Sequence, residues 1–208
     1  MALDLTELCA PDRTALVLQE VQNGVVGSPS ALPALAAAAA AVGLVDNCAR
    51  LAARARGVGI PVYHCTAATR GDLMGANRNA RLFMGVLKAP VRLLPGSEAV
   101  AVPDAIGVAD SDVVLERYHG LGPMTGTQLD SMLRNGGVTT IVGVGVSLNI
   151  GMFNFCVDAV NRGYQFVMPR DCVAGVPPEY GDAVLAHSLA LLATITTTDA
   201  ILEAWARR

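Results

Sequence analysis

The chain is short of charge and almost without lysine. Charged residues make up 16% of its 208 positions against 52% hydrophobic ones, which excludes a disordered chain and predicts one domain with a filled interior. Of 15 basic residues, Lys88 is the sole lysine and the other 14 are arginine. They form no basic stripe and the net charge is −3, so nucleic acid is not an expected partner. Cys9, Cys48, Cys65, Cys156 and Cys172 are widely spaced and odd in number, with no CxxC pair and no Cys/His cluster. That pattern speaks against a zinc site and a disulfide framework, and makes a reducing cytoplasm the expected compartment. Neither a metal nor another cofactor is expected. The first residues, MALDLTELCAPDR, lack the apolar stretch of a signal peptide. The alanine run 36–41 is interrupted by Gly43, Asp46 and Asn47, well short of the roughly 20 apolar residues of a membrane span. It reads as a buried helix, and no membrane partner is expected.

What is present is an alternation of short apolar runs and helical stretches. Residues 14–19 (TALVLQ), 60–65, 112–117, 139–146, 164–168 and 194–197 read as strands. Helices are predicted over 33–56 (closed by Gly57), around 79–87, from a Thr127 cap to Arg134, over 150–162 (closed by Gly163), over 178–193 and from Asp199 onward. Strands separated by helices mean βαβ units and a mainly parallel sheet. Residues 1–12 read as an N-terminal extension and 13–208 as a single domain. The sequence is organised around Ile141 to Met152, IVGVGVSLNIGM, where a strand passes through a tight turn into a helix. Such a turn lies at the carboxyl edge of a parallel sheet, where open α/β folds keep their ligand sites.

Four sequence stretches carry a resemblance to a known family. They are Ala15 to Asn23 (ALVLQEVQN); Gly126-Thr127-x-Leu129 with Leu133-Arg134; Gly145 to Asn149 (GVSLN); and Asp158-Ala159, Arg162-Gly163-Tyr164 and Asp171 in that order. From about Arg13 to Trp205 the chain resembles the isochorismatase-like (cysteine hydrolase) superfamily. The resemblance implies a three-layer α/β/α fold on a six-stranded, mainly parallel sheet, and a homo-oligomer. Amidohydrolase members of that superfamily use an Asp after the first strand, a Lys after the third and a Cys nucleophile after the fourth. The carboxylate takes the thiol proton, the ammonium stabilises the thiolate, and backbone N–H groups bind the oxyanion. The resemblance also implies a non-proline cis peptide in that turn, which here would fall at Val146–Ser147.

All three positions depart from that pattern. Glu20 stands at the Asp position and Gly151 at the Cys position. Arg117 stands at the Lys position if the following loop carries one extra residue, and Tyr118 if it does not. Arginine clamps charge but moves no proton, and glycine has no nucleophile. The Asp-x-His…His metal cluster of nicotinamidase-type relatives is not visible. Candidate catalytic positions are therefore Glu20, Arg117 and Gly151, with Val146, Ser147, Asn149, His119 and Tyr118 as candidate substrate-binding residues. Cys156 lies five positions past Gly151, more than one helical turn, and reads as core. Cys65, Cys172 and His64 lie near strand ends, where core packing competes with a place at the pocket. Three readings follow. Isochorismatases proper, as the resemblance has it, also carry glycine at the cysteine position and cleave a vinyl ether: Glu20 would then protonate the substrate, water would complete the cleavage, and Arg117 would bind a substrate carboxylate. The second reading is an inactive member that binds a small molecule or a partner. The third is an amide hydrolase with its thiol relocated to Cys65 or Cys172.

Overall fold

Six residues in a row with no exposed side chain need cover on both faces, and the run Thr14–Gln19 obtains it by becoming the middle of a parallel sheet. In the computed structural model, which describes residues 4–207, the strands are β1 (Thr14–Gln19), β2 (Val62–Ala67), β3 (Val113–Arg117), β4 (Thr140–Val146), β5 (Gln165–Pro169), β6 (Val173–Ala174) and β7 (Thr194–Thr196). The first three residues of the N-terminal extension and residue 208 lie outside the described residues. All pairings are parallel and the order is β3-β2-β1-β4-β5-β7. The chain leaves β1 towards β2 on one side and returns to β4 on the other. The topological switch point, and with it the crevice for a ligand, therefore lies at the carboxyl ends of β1 and β4.

Helices cover both faces: α1 (Leu5–Leu8), α2 (Asn23–Val26), α3 (Pro33–Ala41), α4 (Leu44–Gly57), α5 (Arg81–Val86), α6 (Leu129–Asn135), α7 (Phe153–Asn161), α8 (Pro178–His187) and α9 (Thr198–Ala206). Leu16, Leu18, Val142 and Val144 pack with Leu44, Leu51 and Trp205 on one face. Ala15, Val17 and Ile141 pack with Leu129, Leu133 and Phe155 on the other. Trp205 also ties the N-terminal residues to α9, its indole N–H donating to the Cys9 carbonyl at 3.0 Å.

Two glycines of β4 are steric requirements. A Cβ on Gly143 would sit 2.2 Å from the Phe166 ring, and one on Gly145, at φ +121°, would sit 2.0 Å from the Gln19 carbonyl oxygen. The alternation VGVGV thus lets β4 and its neighbours approach closely where the site is built.

The parallel α/β architecture is as the sequence predicts, with four differences of detail. The single helix expected over 33–56 is two, because Gly43 at φ +65° breaks it and the halves meet at 63°. Alanine favours helix but does not supply the strong apolar face that would hold one long rod on the sheet. A seventh strand, β6, is two residues long, too short for any pattern to announce, and pairs with the end of β4. The helix expected over 150–162 opens with a wider, π-helical turn at Leu148–Met152 before α7 begins. The helix from Pro178 stops at His187 and is followed by a separate 3-10 turn at Leu189–Leu191. Among the described residues no single helix is long and apolar enough to cross a membrane.

A buried polar knot anchors β2 and the approach to β3. The Asp112 carboxylate accepts from Arg56 Nη2 at 2.6 Å and Nε at 3.1 Å and from the Ala109 N–H at 3.0 Å, and it lies 3.0 Å from His64 Nε2. Burial works against the Asp112 charge, but Arg56, the Ala109 N–H and His64 together hold the carboxyl below its ordinary range. For His64, burial outweighs the attraction of Asp112 and lowers the pKa. The unfolded chain then takes up the proton before the folded one. Stability from this group is complete above the free imidazole value of about 6.5 and is lost as pH falls below it, by at most about 1.4 kcal/mol per pH unit. NMR titration of the His64 ring should give a midpoint below 6.5; a midpoint above it would reverse the sign of this contribution.

Candidate active site

The carboxyl ends of β1, β3 and β4 converge on one cavity. Glu20 directly follows β1, its N–H donating to the Cys65 carbonyl at 2.8 Å. Its backbone has φ +53°, a left-handed conformation that costs a side-chain-bearing residue on the order of 1–3 kcal/mol and clusters at functional sites. The Glu20 carboxylate forms an ion pair with Arg117 Nη2, and Arg117 Nε donates to the Gly122 carbonyl at 3.2 Å. Arg117 is the last residue of β3 with its side chain only 5% exposed, while Tyr118 turns outward and donates its hydroxyl to Glu116 at 2.6 Å. Of the two candidates for the position facing Glu20, Arg117 therefore occupies it.

On the other side of β1, β4 ends at a cis peptide between Val146 and Ser147 and passes into the π-helical turn. Such wide turns are rare and concentrate at functional sites. Gly151 lies within this one, buried. A Cβ built on Gly151 would stand 2.4 Å from Gln19 Nε2 and 3.2 Å from the carbonyl oxygens of Leu121 and Val146. Gln19 is fully buried, donates Nε2 to the Leu121 carbonyl at 3.1 Å, and leaves its Oε1 without a hydrogen-bond partner. The space a side chain at 151 would need is thus filled by an amide from β1. The sequence carried one signal of this: a glutamine closing an otherwise apolar strand.

The cavity has a volume of about 130 Å³. Glu20, Arg117, Ser147 and Gly151 form its polar end, with Tyr118 and His119 beside them. The remaining walls are mainly apolar, with Leu32 and Leu35 from the start of α3, Leu82, Phe83 and Val86 from α5, and Leu93, and they include the uncharged polar residues Thr69 and Asn77. The loop carrying His119 is tied to the segment before α5 by the Gly120 N–H, which donates to Asn77 Oδ1 at 2.8 Å. The short helix predicted around 79–87 is observed as α5, but residues 66–100 show too little periodicity for the sequence to say that it walls the cavity. Leu82, Phe83, Val86 and Leu87 share a helix barely longer than one turn.

Of the predicted site residues, Glu20, Arg117, Gly151, Ser147, Tyr118 and His119 line the cavity, and Val146 and Asn149 do not. Val146, as a strand residue, points into the core on the α4 face. Asn149 turns away to donate to the Val176 carbonyl at 3.2 Å, bracing the turn against the segment after β6. His64 is taken up by the Asp112 knot. None of the five cysteines lines the cavity; all are buried and free. Burial pushes the thiols of Cys65 and Cys156 up to about 12, at Cys65 against the favourable charge of Arg117. Cys172 lies on the α4 face, its sulfur 3.1 Å from Thr198 Oγ1. Among the described residues no cluster of three or more His, Cys, Asp or Glu could hold a metal ion.

Gly151→Cys should therefore not place a thiol in the cavity without distortion. The substitution should lower stability by about 1–3 kcal/mol as an overpacked site, and Gln19→Ala in the same chain should restore much of the loss in denaturant melts. Equal stability of Gly151→Cys and the parent would show that Gln19 yields freely.

Comparison with known proteins agrees with the fold and the motifs. Residues 14–200 match the Isochorismatase domain model. The chain is 28% identical over 192 residues to the isochorismatase family protein YecD of Escherichia coli O157:H7, covering 92% of this chain and 95% of that one. An isochorismatase family protein of Burkholderia thailandensis superposes with a TM-score of 0.75 at 26% identity, over 94% of this chain and 96% of its own. A cysteine hydrolase of Pseudomonas syringae pv. phaseolicola 1448A shares the fold, with a TM-score of 0.79 at 21% identity over 100% and 99% of the two chains. The chain belongs to the isochorismatase family, and its fold is that of the family's hydrolases.

Proposed function

We propose that the protein is a hydrolase of small molecules in which water, activated by Glu20, attacks the substrate directly, with no thiol nucleophile and no covalent intermediate. The observation that carries this reading is the pairing of Glu20 with Arg117 at the floor of the cavity, beside a Gly151 whose side-chain space is occupied. The ion pair is made by the carboxylate form of Glu20, so removal of a proton from water fits the geometry better than proton donation to a vinyl ether. In the step that follows, the water oxygen bonds to an electrophilic carbonyl carbon while its proton passes to Glu20. The carbonyl π electrons move onto oxygen as a transient oxyanion. When that collapses, the bond to the leaving group breaks and Glu20 returns the proton to it. Arg117 uses two of its five N–H groups on Gly122 and Glu20, which leaves donors for the oxyanion.

A relocated thiol is not favoured by the buried cysteines. In an assay of short esters and amides, Glu20→Gln should lower kcat/KM by about 100-fold or more. Prior treatment of the native protein with iodoacetamide should leave the rate unchanged. Loss of activity on alkylation would restore a thiol mechanism. Glu20→Gln matching the parent on every hydrolysed substrate would overturn the role given to Glu20, and a parent that turns over none of the panel would favour a binding protein.

A further inference from the structure

The charges in the cavity are already spoken for. Glu20 and Arg117 neutralise each other, and among the described residues the only other titratable side chains lining the space are Tyr118 and His119, with no lysine and no second arginine. Beyond the polar floor the lining is mostly aliphatic or aromatic, with Leu32, Leu35, Leu82, Phe83, Val86 and Leu93, and the polar residues among it, Thr69 and Asn77, are uncharged. A ligand carboxylate entering this sleeve would shed its water and meet a guanidinium whose counter-charge is in place, a cost of several kcal/mol for an uncompensated buried ion. A neutral amide or ester loses far less on entry and can accept a hydrogen bond from the unused Arg117 donors or from Ser147.

Size narrows the class further. Apolar cavities of about 150 Å³ take up benzene, so about 130 Å³ suits a body of some six heavy atoms, a single ring or a branched short chain. We propose that this cavity selects neutral, apolar-bodied amides or esters of that size over the carboxylates of the same shape, and that the closed Glu20–Arg117 pair is the selectivity device. The proposal rests on reading this cavity as the substrate site. It departs from the expectation that Arg117 holds a substrate carboxylate.

The test is a binding comparison, separate from turnover. Dissociation constants for isovaleramide against isovalerate and benzamide against benzoate are measured by NMR titration on the full chain at pH 8, where any hydrolysis shows in the same tube. The amides should bind at least tenfold more tightly than their acids, and Phe83→Asp, in the wall, should weaken amide binding by a similar factor. Glu20→Gln removes the counter-charge of Arg117 and should invert the preference, bringing the carboxylates to at least equal affinity. Tighter binding of the acids by the parent protein, an unchanged preference in Glu20→Gln, or no binding of either class would each overturn the proposal. Amide binding without hydrolysis would sink the proposed reaction and leave the selectivity standing; hydrolysis with carboxylate preference would do the reverse.

Discussion

The ion pair between Glu20 and Arg117 is the constraint on which the site depends. In the strand order β3-β2-β1, its two partners belong to strands that are not neighbours, so the pair reaches over the carboxyl end of β2. It closes the edge of the sheet there, fixes the loop through the Gly122 carbonyl, and holds Glu20 in a backbone conformation that a side chain rarely adopts. With Arg117 almost fully buried, losing one partner would strand a charge at a cost of about 3–5 kcal/mol. The pair is therefore structural, and any chemical role it takes cannot be separated from that by moving either residue.

The other half of the site is defined by what has been filled. Gly151 alone would suggest a position where a nucleophile was deleted and the space left open. Gln19 shows otherwise: its amide occupies that space, holds Leu121 and leaves one buried oxygen without a partner. A lone unsatisfied acceptor in a packed core costs on the order of 1–3 kcal/mol. It sits one residue before Glu20, whose carboxylate lines the cavity.

Strands β1 and β4 were legible in the sequence because they are buried on both faces and written in continuous apolar residues. The turn after β4 was legible through its glycines and its position at a sheet edge. The family resemblance, laid on these elements, pointed to Glu20, Ser147 and Gly151. The choice between Arg117 and Tyr118 was not, because one extra loop residue shifts the alignment, and only the packing shows which side chain turns inward. Gln19 was visible as the glutamine that closes β1, but a glutamine inside a strand declares nothing about where its amide reaches. Val146 and Asn149 were overassigned for a related reason: proximity in sequence to a site does not fix which face of a strand or turn a side chain takes. The helix break at Gly43 was obscured by alanines that satisfy a long helix and two short ones equally well.

That break has a consequence for how the fold can vary. Because α3 leaves α4 at 63°, α4 stays flat on the sheet while Leu32 and Leu35 at the start of α3 reach the cavity. Core cover and cavity wall overlap in α3, whose Leu35 and Ala39 are buried in the cluster that holds Leu16, Leu18 and Val142, whereas α4 covers the core and contributes nothing to the cavity lining. Changes that remodel the cavity wall can accumulate in α5, which belongs to neither core cluster, without being transmitted to the strands, whereas changes in α3 are felt by both. The shape of the cavity is thereby free to drift independently of fold stability across generations of sequence change through α5, and is tied to that stability through α3.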